Sequence, residues 1–201
     1  MIRIAMRTAL LMILACMLVM GEARASAGPG GGGGGGANAR GGAGGAGTGA
    51  AATQPAKTRT TAGVAFVAGK LSFAIADDRV HLTARGDGWS SPWGDVVAAE
   101  ATWSPTIDNV LALLAGRLDE LSIATGTFSA EFSSGDRLGG TISGTVRPRE
   151  DQTFGLEAKF IATHGTGRFA GVSGGGTLHA LDNLDTLEFR AMLHANLAVP
   201  R

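Results

Sequence analysis

Hydrophobic and polar residues alternate with a period of two along most of the chain beyond residue 62. Apolar residues at every second position are typical of β-strands that bury one side and expose the other. The alternating runs are centred near Leu71, Val80, Val96, Phe128, Ile142, Phe154, Leu178 and Phe189. Seven or eight short strands at this spacing predict an all-β domain, either an antiparallel sandwich or a barrel.

Turn-forming residues separate the runs. Asp77-Asp78 is a candidate two-residue hairpin turn, and residues 86–95, with the sequence GDGWSSPWGD, read as a loop. Shorter turns are expected at residues 133–136, at residues 148–152 and at Asp182-Asn183.

One segment departs from the alternation and predicts a short helix. Ser104 is a candidate N-cap, Pro105 suits the first helical position, and Gly116 suits the position just beyond the helix. The apolar residues between them have helical spacing at Ile107, Val110, Leu111 and Leu114. A buried strand over residues 110–115 is the alternative.

Residues 1–27 have the pattern of a secretory signal peptide, with Arg3 and Arg7 before an apolar stretch and Ala-Ser-Ala at residues 25–27. The apolar stretch is shorter than the ~20 residues of a membrane-spanning helix, which favours cleavage over an uncleaved anchor. Cys16 follows Ile-Leu-Ala and permits a lipoprotein signal as a third interpretation, although the apolar run continues past it. We therefore expect an exported protein, periplasmic or extracellular, with no stable membrane span after cleavage.

Residues 28–61 are dominated by glycine and alanine and include seven consecutive glycines. Such a segment has too little apolar surface to offset the entropy of ordering, so it predicts a disordered linker. It is either a tether for the folded domain or a low-complexity segment without a role. Residues 62–201 are then the folded domain, which is long enough for one hydrophobic core.

Charge and cysteine content further limit what the protein could bind and what could stabilise it. The 17 basic and 17 acidic residues balance, so there is no electrostatic argument for nucleic-acid binding. Cys16 is the only cysteine. Signal cleavage would remove it, and the domain would then depend on its hydrophobic core rather than on disulfides.

Two segments carry a resemblance to a known group. Residues 128–146 read FSAEFSSGDRLGGTISGTV, and residues 164–178 read HGTGRFAGVSGGGTL. Both resemble segments of small exported bacterial β-barrel proteins that are related in fold to allene oxide cyclases and dirigent proteins. The resemblance implies one antiparallel barrel of about eight strands around a hydrophobic cavity. The plant cyclases have a polar, acidic catalytic pocket, to which no residue here aligns, so the resemblance implies no catalytic residue.

The glycine-rich stretch at residues 164–178 is interpreted as a strand connection. Gly165 and Gly167 are expected to take positive φ, and Gly171 is expected to lie in the same tight turn. Gly174 and its neighbours are expected to permit a bulge or sharp bend. Phe169 would plug the barrel end, with Arg168 on its rim. No helical pattern follows the glycines, which disfavours a phosphate-binding loop. For the same reason Ser173, in the string GVSGG, is disfavoured as a catalytic nucleophile.

Three tryptophans, Trp89, Trp93 and Trp103, fall close together in the sequence. They are candidates, with Phe169, for stacking on a sugar or an apolar ligand at one barrel mouth. Alternatively they close a barrel end as part of the core. The histidines His81, His164, His179 and His194 lack metal-ligand spacing, so neither a metal nor a cofactor is predicted.

The pattern favours a non-catalytic protein that binds a small apolar ligand or a component of the cell envelope. A cyclase or isomerase acting on an oxidised lipid is the first alternative and requires a polar group inside the barrel. The charged strand residues all alternate opposite to the apolar ones: Glu131, Glu157, Lys159, Glu188 and Arg190. A structural or adhesive surface protein is the other alternative.

Overall fold

Eight antiparallel strands pair in sequence order and close on themselves, because β1 pairs with β8 as well as with β2. The computed structural model describes residues 58–149 and 153–200. Its strands are β1 (Thr58–Ala76), β2 (Arg79–Ser91), β3 (Gly94–Trp103), β4 (Leu121–Phe132), β5 (Arg137–Pro148), β6 (Thr153–Gly165), β7 (Ser173–Asn183) and β8 (Glu188–Pro200). The predicted all-β fold, a single eight-stranded antiparallel barrel, is confirmed.

The barrel has two rims, which we name by the elements that lie on them. The Trp93 rim carries the β2–β3 and β4–β5 turns and the β6–β7 connection, which contains the 3₁₀ helix Gly167–Phe169. The helical rim carries the β1–β2 turn, the β7–β8 turn and the single α-helix, α1 (Ile107–Leu114), between β3 and β4. Antiparallel pairing of neighbouring strands places these two sets of connections at opposite ends.

The apolar side of each strand points inward, as the alternation predicts. On β6, for example, Phe154, Leu156, Ala158 and Phe160 are buried, whereas Glu157 and Lys159 between them are exposed. Leu197 on β8 and Ile142 on β5 are among the most completely buried side chains. Burial of this apolar surface at about 25 cal/mol per Å² is the main stabilising contribution to the barrel.

The expected loop at residues 86–95 is mostly strand. β2 continues to Ser91 and β3 starts at Gly94, which leaves only Pro92 and Trp93 between them. The glycines that suggested a loop are required for close contact between strands. A Cβ atom on Gly86 would meet the carbonyl oxygen of Ala68, and one on Gly88 would meet that of Phe66.

The barrel starts earlier than the expected residue 62. β1 begins at Thr58, and its first four residues, which the sequence placed in the linker, pair with Leu197–Pro200 of β8. The rest of the linker, the signal peptide at residues 1–27 and Cys16 lie outside the described residues. No helix in the described part of the chain has the length and hydropathy to cross a membrane.

Helix α1 confirms the helical prediction, but its N-cap differs. The cap residue is Thr106, without a side-chain cap hydrogen bond, while the Ser104 hydroxyl bonds Nδ1 of His81 at 2.8 Å. Gly116 follows the cap residue Ala115 with φ 67°, the left-handed conformation expected of a helix-terminating glycine. Leu113 is buried, so α1 packs its apolar side onto the helical rim.

Two predicted turns have opposite outcomes. Asp77 and Asp78 form the two-residue β1–β2 turn with φ 50° and 60°, as expected for a type I′ hairpin. Asp182 and Asn183 instead belong to β7, because their ladder with β8 continues to Glu188. The turn lies beyond them, and it ends at Leu187 with φ 53°.

Candidate functional site

A cavity of about 110 Å³ lies inside the barrel. Small and aromatic side chains dominate its wall. Seven alanines line it, namely Ala65, Ala84, Ala99, Ala101, Ala130, Ala191 and Ala195. Five aromatic rings complete much of the remainder, namely Trp93, Phe128, Phe132, Phe160 and Phe189. The cavity exists because alanines occupy inward positions at which larger side chains would fill an eight-stranded barrel.

The cavity wall is almost wholly apolar. Its one buried hydroxyl belongs to Ser90, and that hydroxyl donates a 2.8 Å hydrogen bond to the carbonyl oxygen of Gly94. Phe128 and Phe160 pack edge to face across the wall, with ring centroids 5.4 Å apart. An apolar molecule would therefore lose no polar contact on entering, whereas a polar one would find few partners.

An aromatic cluster closes the barrel at the Trp93 rim. Phe169 is 1% exposed, and its ring centroid lies 5.0 Å from that of Phe132 and 6.3 Å from that of Trp93. Trp93 and Phe132 line the cavity, while Phe169 packs against both of them without lining it. Phe169 thus has the plug position that the sequence suggested.

Arg168 fastens this cluster from outside. Its guanidinium donates hydrogen bonds to the carbonyl oxygen of Trp93 at 2.6 Å and to the Ser134 hydroxyl at 2.9 Å. It also lies 5.3 Å from the ring centroids of Phe132 and Phe169, within cation–π distance. The β2–β3, β4–β5 and β6–β7 connections are therefore joined through one side chain.

Asp136 holds Arg168 in this position. Its carboxylate accepts a hydrogen bond from the backbone N–H of Arg168 at 3.2 Å and pairs with Nε of the same residue at 2.9 Å. The hydrogen bond from the Ser134 hydroxyl, together with these contacts to Arg168, lowers the pKa of the Asp136 carboxyl. The carboxylate is thus held ionised beside the guanidinium.

The glycines of the β6–β7 connection are needed at specific backbone positions. Gly167 has φ 58°, Gly171 has φ 69° and Gly174 has φ 110°, whereas Gly165 is not in the positive-φ region. A Cβ atom on Gly165 would instead collide with Phe169. The sequence expectation holds for Gly167 and is corrected for Gly165, where close packing is the requirement.

The expected bulge at residues 174–176 is absent from the ladders of β7. Gly174, Gly175 and Gly176 pair in continuous register with Asn196 and its neighbours on β8. A Cβ atom on Gly175 would meet the carbonyl oxygen of Phe160. Close approach of the neighbouring backbones, rather than a bend, explains these glycines. Ser173 is the exposed first residue of β7.

The three tryptophans do not meet at one mouth. Trp93 is buried at the Trp93 rim. Trp103 is also buried, but it ends β3 at the opposite, helical rim. Trp89 is 50% exposed on the outer wall, beside Phe66 of β1. The outcome follows from position in the strands, because Trp89 takes the outward phase of β2 and Trp103 stands at the far end of β3.

The five charged strand residues lie on the outer wall, away from the cavity. Glu131 pairs with Arg137, Glu157 with Arg149, and Glu188 with Lys70, at distances of 3.0, 3.3 and 2.8 Å. Lys159 and Arg190 are exposed. The apolar residues of each strand therefore point into the barrel, and the charged residues that alternate with them point outward.

Sequence reasoning missed one inward carboxyl. Asp182 continues the inward phase of Leu178 and Ala180 and is 6% exposed, between Phe154 and Phe189 in the ladders. Among the described residues, no hydrogen bond or ion pair to its carboxylate is found. Burial raises its pKa to about 6. Asp182 lies toward the helical rim and does not line the cavity.

The four histidines lie on the strands, and His179 and His194 are diagonal neighbours on β7 and β8. His179 and His194 are exposed on β7 and β8, His81 bonds Ser104, and His164 bonds the Thr163 hydroxyl at 3.0 Å. No group of three potential metal ligands is found in residues 58–149 and 153–200.

No family model and no curated protein matches the chain. Among solved structures, the chain is similar to "Structure of the pterocarpan synthase dirigent protein GePTS1", with 10% sequence identity and a TM-score of 0.41. That similarity covers 77% of this chain and 97% of the other. The eight-stranded antiparallel barrel that the resemblance of residues 128–146 and 164–178 implied is the fold of this chain.

Proposed function

We propose that the barrel binds one small apolar molecule in its interior. The observation that carries the proposal is the cavity of about 110 Å³, lined by seven alanines and five aromatic rings. An apolar cavity of roughly 150 Å³ stays dry and accepts molecules such as benzene or xenon. A ligand of that size would gain dispersion contacts and remain shielded from water.

The cavity volume limits the ligand. Pockets for drug-sized molecules measure about 300–1,000 Å³, so this cavity suits a smaller molecule, close to a single aromatic ring. Edge-to-face packing of Phe128 and Phe160 offers such a ring a ready partner. The ligand class is therefore a small aromatic or short branched hydrocarbon.

Thermal unfolding of the purified protein with benzene, toluene and naphthalene tests the proposal. Benzene and toluene at about ten times their dissociation constants should raise the midpoint by about 3–5 °C, because a ligand that binds only the folded state stabilises it. Naphthalene, which exceeds the cavity, should raise it less.

Two alanine substitutions provide the matched pair. Ala191→Leu places a side chain into the cavity and should abolish the shift, whereas Ala74→Leu, on the exposed side of β1, should keep it. Ala195→Val serves as a milder second variant if the leucine overpacks the interior. The proposal fails if benzene and toluene give no saturable shift, or if Ala191→Leu responds like the unchanged protein.

A cyclase or isomerase is less well supported. Such chemistry requires a proton-transferring group in contact with the ligand. Glu100 borders the cavity, but its carboxylate is partly exposed and pairs with Arg85 at 2.6 Å. Asp182 is the buried inward carboxyl of the described residues, yet it does not line the cavity. A purely structural or adhesive protein is distinguished by the same experiment, because its stability would not respond to benzene.

We further propose that the protein acts outside the cytoplasm, as a soluble exported domain behind a glycine-rich tether. The support is the signal-like pattern of residues 1–27 and the composition of residues 28–57. Intact-mass measurement of the exported protein should give a chain that starts after Ala25 or Ala27. A mass increased by a lipid on Cys16 would instead establish the lipoprotein form.

A further inference from the structure

The outer wall carries an exposed pair of aromatic rings that the interior site does not use. Phe66 and Trp89 face each other across β1 and β2, 40% and 50% exposed, with ring centroids 4.9 Å apart and planes inclined by 30°. We call these two residues the aromatic platform. Met192 of β8 flanks it on the other side of Phe66. At this distance and inclination the two rings overlap in a tilted stack, and each leaves part of its surface exposed to solvent.

Polar side chains border the platform on three sides. Asp95 of β3 stands opposite Trp89, and Asp87 is two residues from Trp89 on the same side of β2. In the next row, Ser91 and His194 both stand opposite Val64. Within the described residues, no hydrogen bond or ion pair to the side chains of Asp87, Asp95, Ser91 or His194 is found.

A hollow adjoins the platform. It measures about 390 Å³ and is bordered by Ala62, Val64, Ser91, His194 and Asn196. Its floor is the small-residue surface of β1, and its edges carry an amide, a hydroxyl and an imidazole. The platform and the hollow therefore form one outer surface with an exposed aromatic part and a border of hydrogen-bonding groups.

We propose that this surface is a second binding site, which takes a carbohydrate chain. A pyranose ring has an apolar face of C–H groups that packs on aromatic rings, and hydroxyls at its edge that bond carboxylates, amides and imidazoles. The alternation of platform and polar border matches that chemistry. A hollow of this volume beside the rings has room for the next sugar of a chain.

The same features disfavour two other occupants. Two carboxylates, Asp87 and Asp95, flank the rings, whereas surfaces that bind anionic membranes carry basic residues there. The two rings expose roughly 200 Å² together, well below the ~800 Å² that each partner buries in a stable protein interface. A sugar of one or two rings matches the exposed area.

Sedimentation of the full protein with insoluble cellulose, chitin and peptidoglycan sacculi tests the inference, with soluble cellohexaose and chitohexaose as competitors. We expect retention on at least one polymer and competition by a soluble chain of the same sugar. Trp89→Ala and Phe66→Ala should each weaken retention by about tenfold, since each removes half of the platform. Trp89 is the exposed tryptophan of the three, so binding should also change tryptophan emission.

Ile161→Ala is the matched control, because Ile161 is an exposed apolar residue on β6, away from the platform. It should leave retention unchanged. If Trp89→Ala does not fold, Asp95→Asn keeps the platform and should weaken retention severalfold. The inference is overturned by no retention on any polymer, by equal retention of Trp89→Ala, or by concentration-dependent self-association that Trp89→Ala abolishes. Binding to phosphatidylcholine–phosphatidylglycerol vesicles in place of the polymers overturns it as well.

Discussion

The guanidinium of Arg168 and the carboxylate of Asp136 lie 2.9 Å apart and hold the β6–β7 connection against the β4–β5 turn. The same guanidinium reaches the carbonyl oxygen of Trp93. Three connections of one rim thus depend on a single side chain, which makes Arg168 the most informative position at the Trp93 rim.

Arg168→Ala should lower the thermal unfolding midpoint by about 5 °C, because charge-assisted hydrogen bonds and two cation–π contacts are lost together. Arg168→Lys should recover only part of the loss, since an ammonium cannot reproduce the planar fork. Calorimetry on the purified protein measures both. Arg147→Ala, which breaks the exposed pair with Glu120, should change the midpoint little, and an equal loss there would contradict a special role for Arg168.

Phe169→Ala should destabilise the protein by about 3–5 kcal/mol, because it removes a fully buried ring from the aromatic cluster at the Trp93 rim. Urea unfolding followed by circular dichroism gives the free energy of unfolding. Ile161→Ala removes an apolar side chain that is 59% exposed and should cost about 0.5 kcal/mol or less. Similar losses in the two variants would contradict the burial of Phe169.

Gly167→Ala and Gly135→Ala separate two effects of a Cβ atom. Both glycines have positive φ, but a Cβ on Gly167 would collide with Oδ1 of Asp136, whereas one on Gly135 meets no atom within 4 Å. Gly135→Ala should therefore cost about 1–2 kcal/mol for the left-handed conformation alone. Gly167→Ala should cost clearly more in the same urea titration. Equal costs would show that Asp136 moves aside freely.

Asp182 should make the protein less stable as pH rises from 4 to 7. Its pKa is about 6 in the folded state against an ordinary 3.8, so between these values the folded form keeps a proton that the unfolded chain has released. Stability from this residue is complete below pH 4 and is lost as pH rises through 6. The full loss is about 3 kcal/mol.

Asp182→Asn should remove that pH dependence and stabilise the protein at pH 7.5 by about 1–3 kcal/mol. Urea titrations at pH 4.5 and 7.5 measure the change. Asp185→Asn, at an exposed position of the adjacent turn, is the control and should behave like the unchanged protein. Parallel pH dependence in Asp182→Asn and the unchanged protein would refute an ionisable, buried Asp182.

The barrel was predictable because its alternation is local and regular. The Asp77-Asp78 turn follows from two polar residues between alternating runs, and the backbone confirms it. Gly86 and Gly88 misled because the sequence does not show that β1 comes too close for a side chain. Their need for glycine is set by a neighbouring strand, which no local pattern reveals.

The site was less predictable for a related reason. Asp182 was assigned to a turn on its residue type, although the period of two from Leu178 and Ala180 places it inward. That periodicity was the available signal. The separation of Trp89, Trp93 and Trp103 depends on strand phase and strand end, so closeness in sequence did not imply closeness in space.

The seam between β1 and β8 has a consequence for how the chain folds. Thr58 pairs with Pro200, so the outer edges of β1 and β8 stay unpaired until the first and last strands of the barrel meet. Contacts between segments so distant in sequence form slowly. The barrel therefore closes only after its last strand has been synthesised, and until then the outer edges of β1 and β8 are open to pairing with another chain.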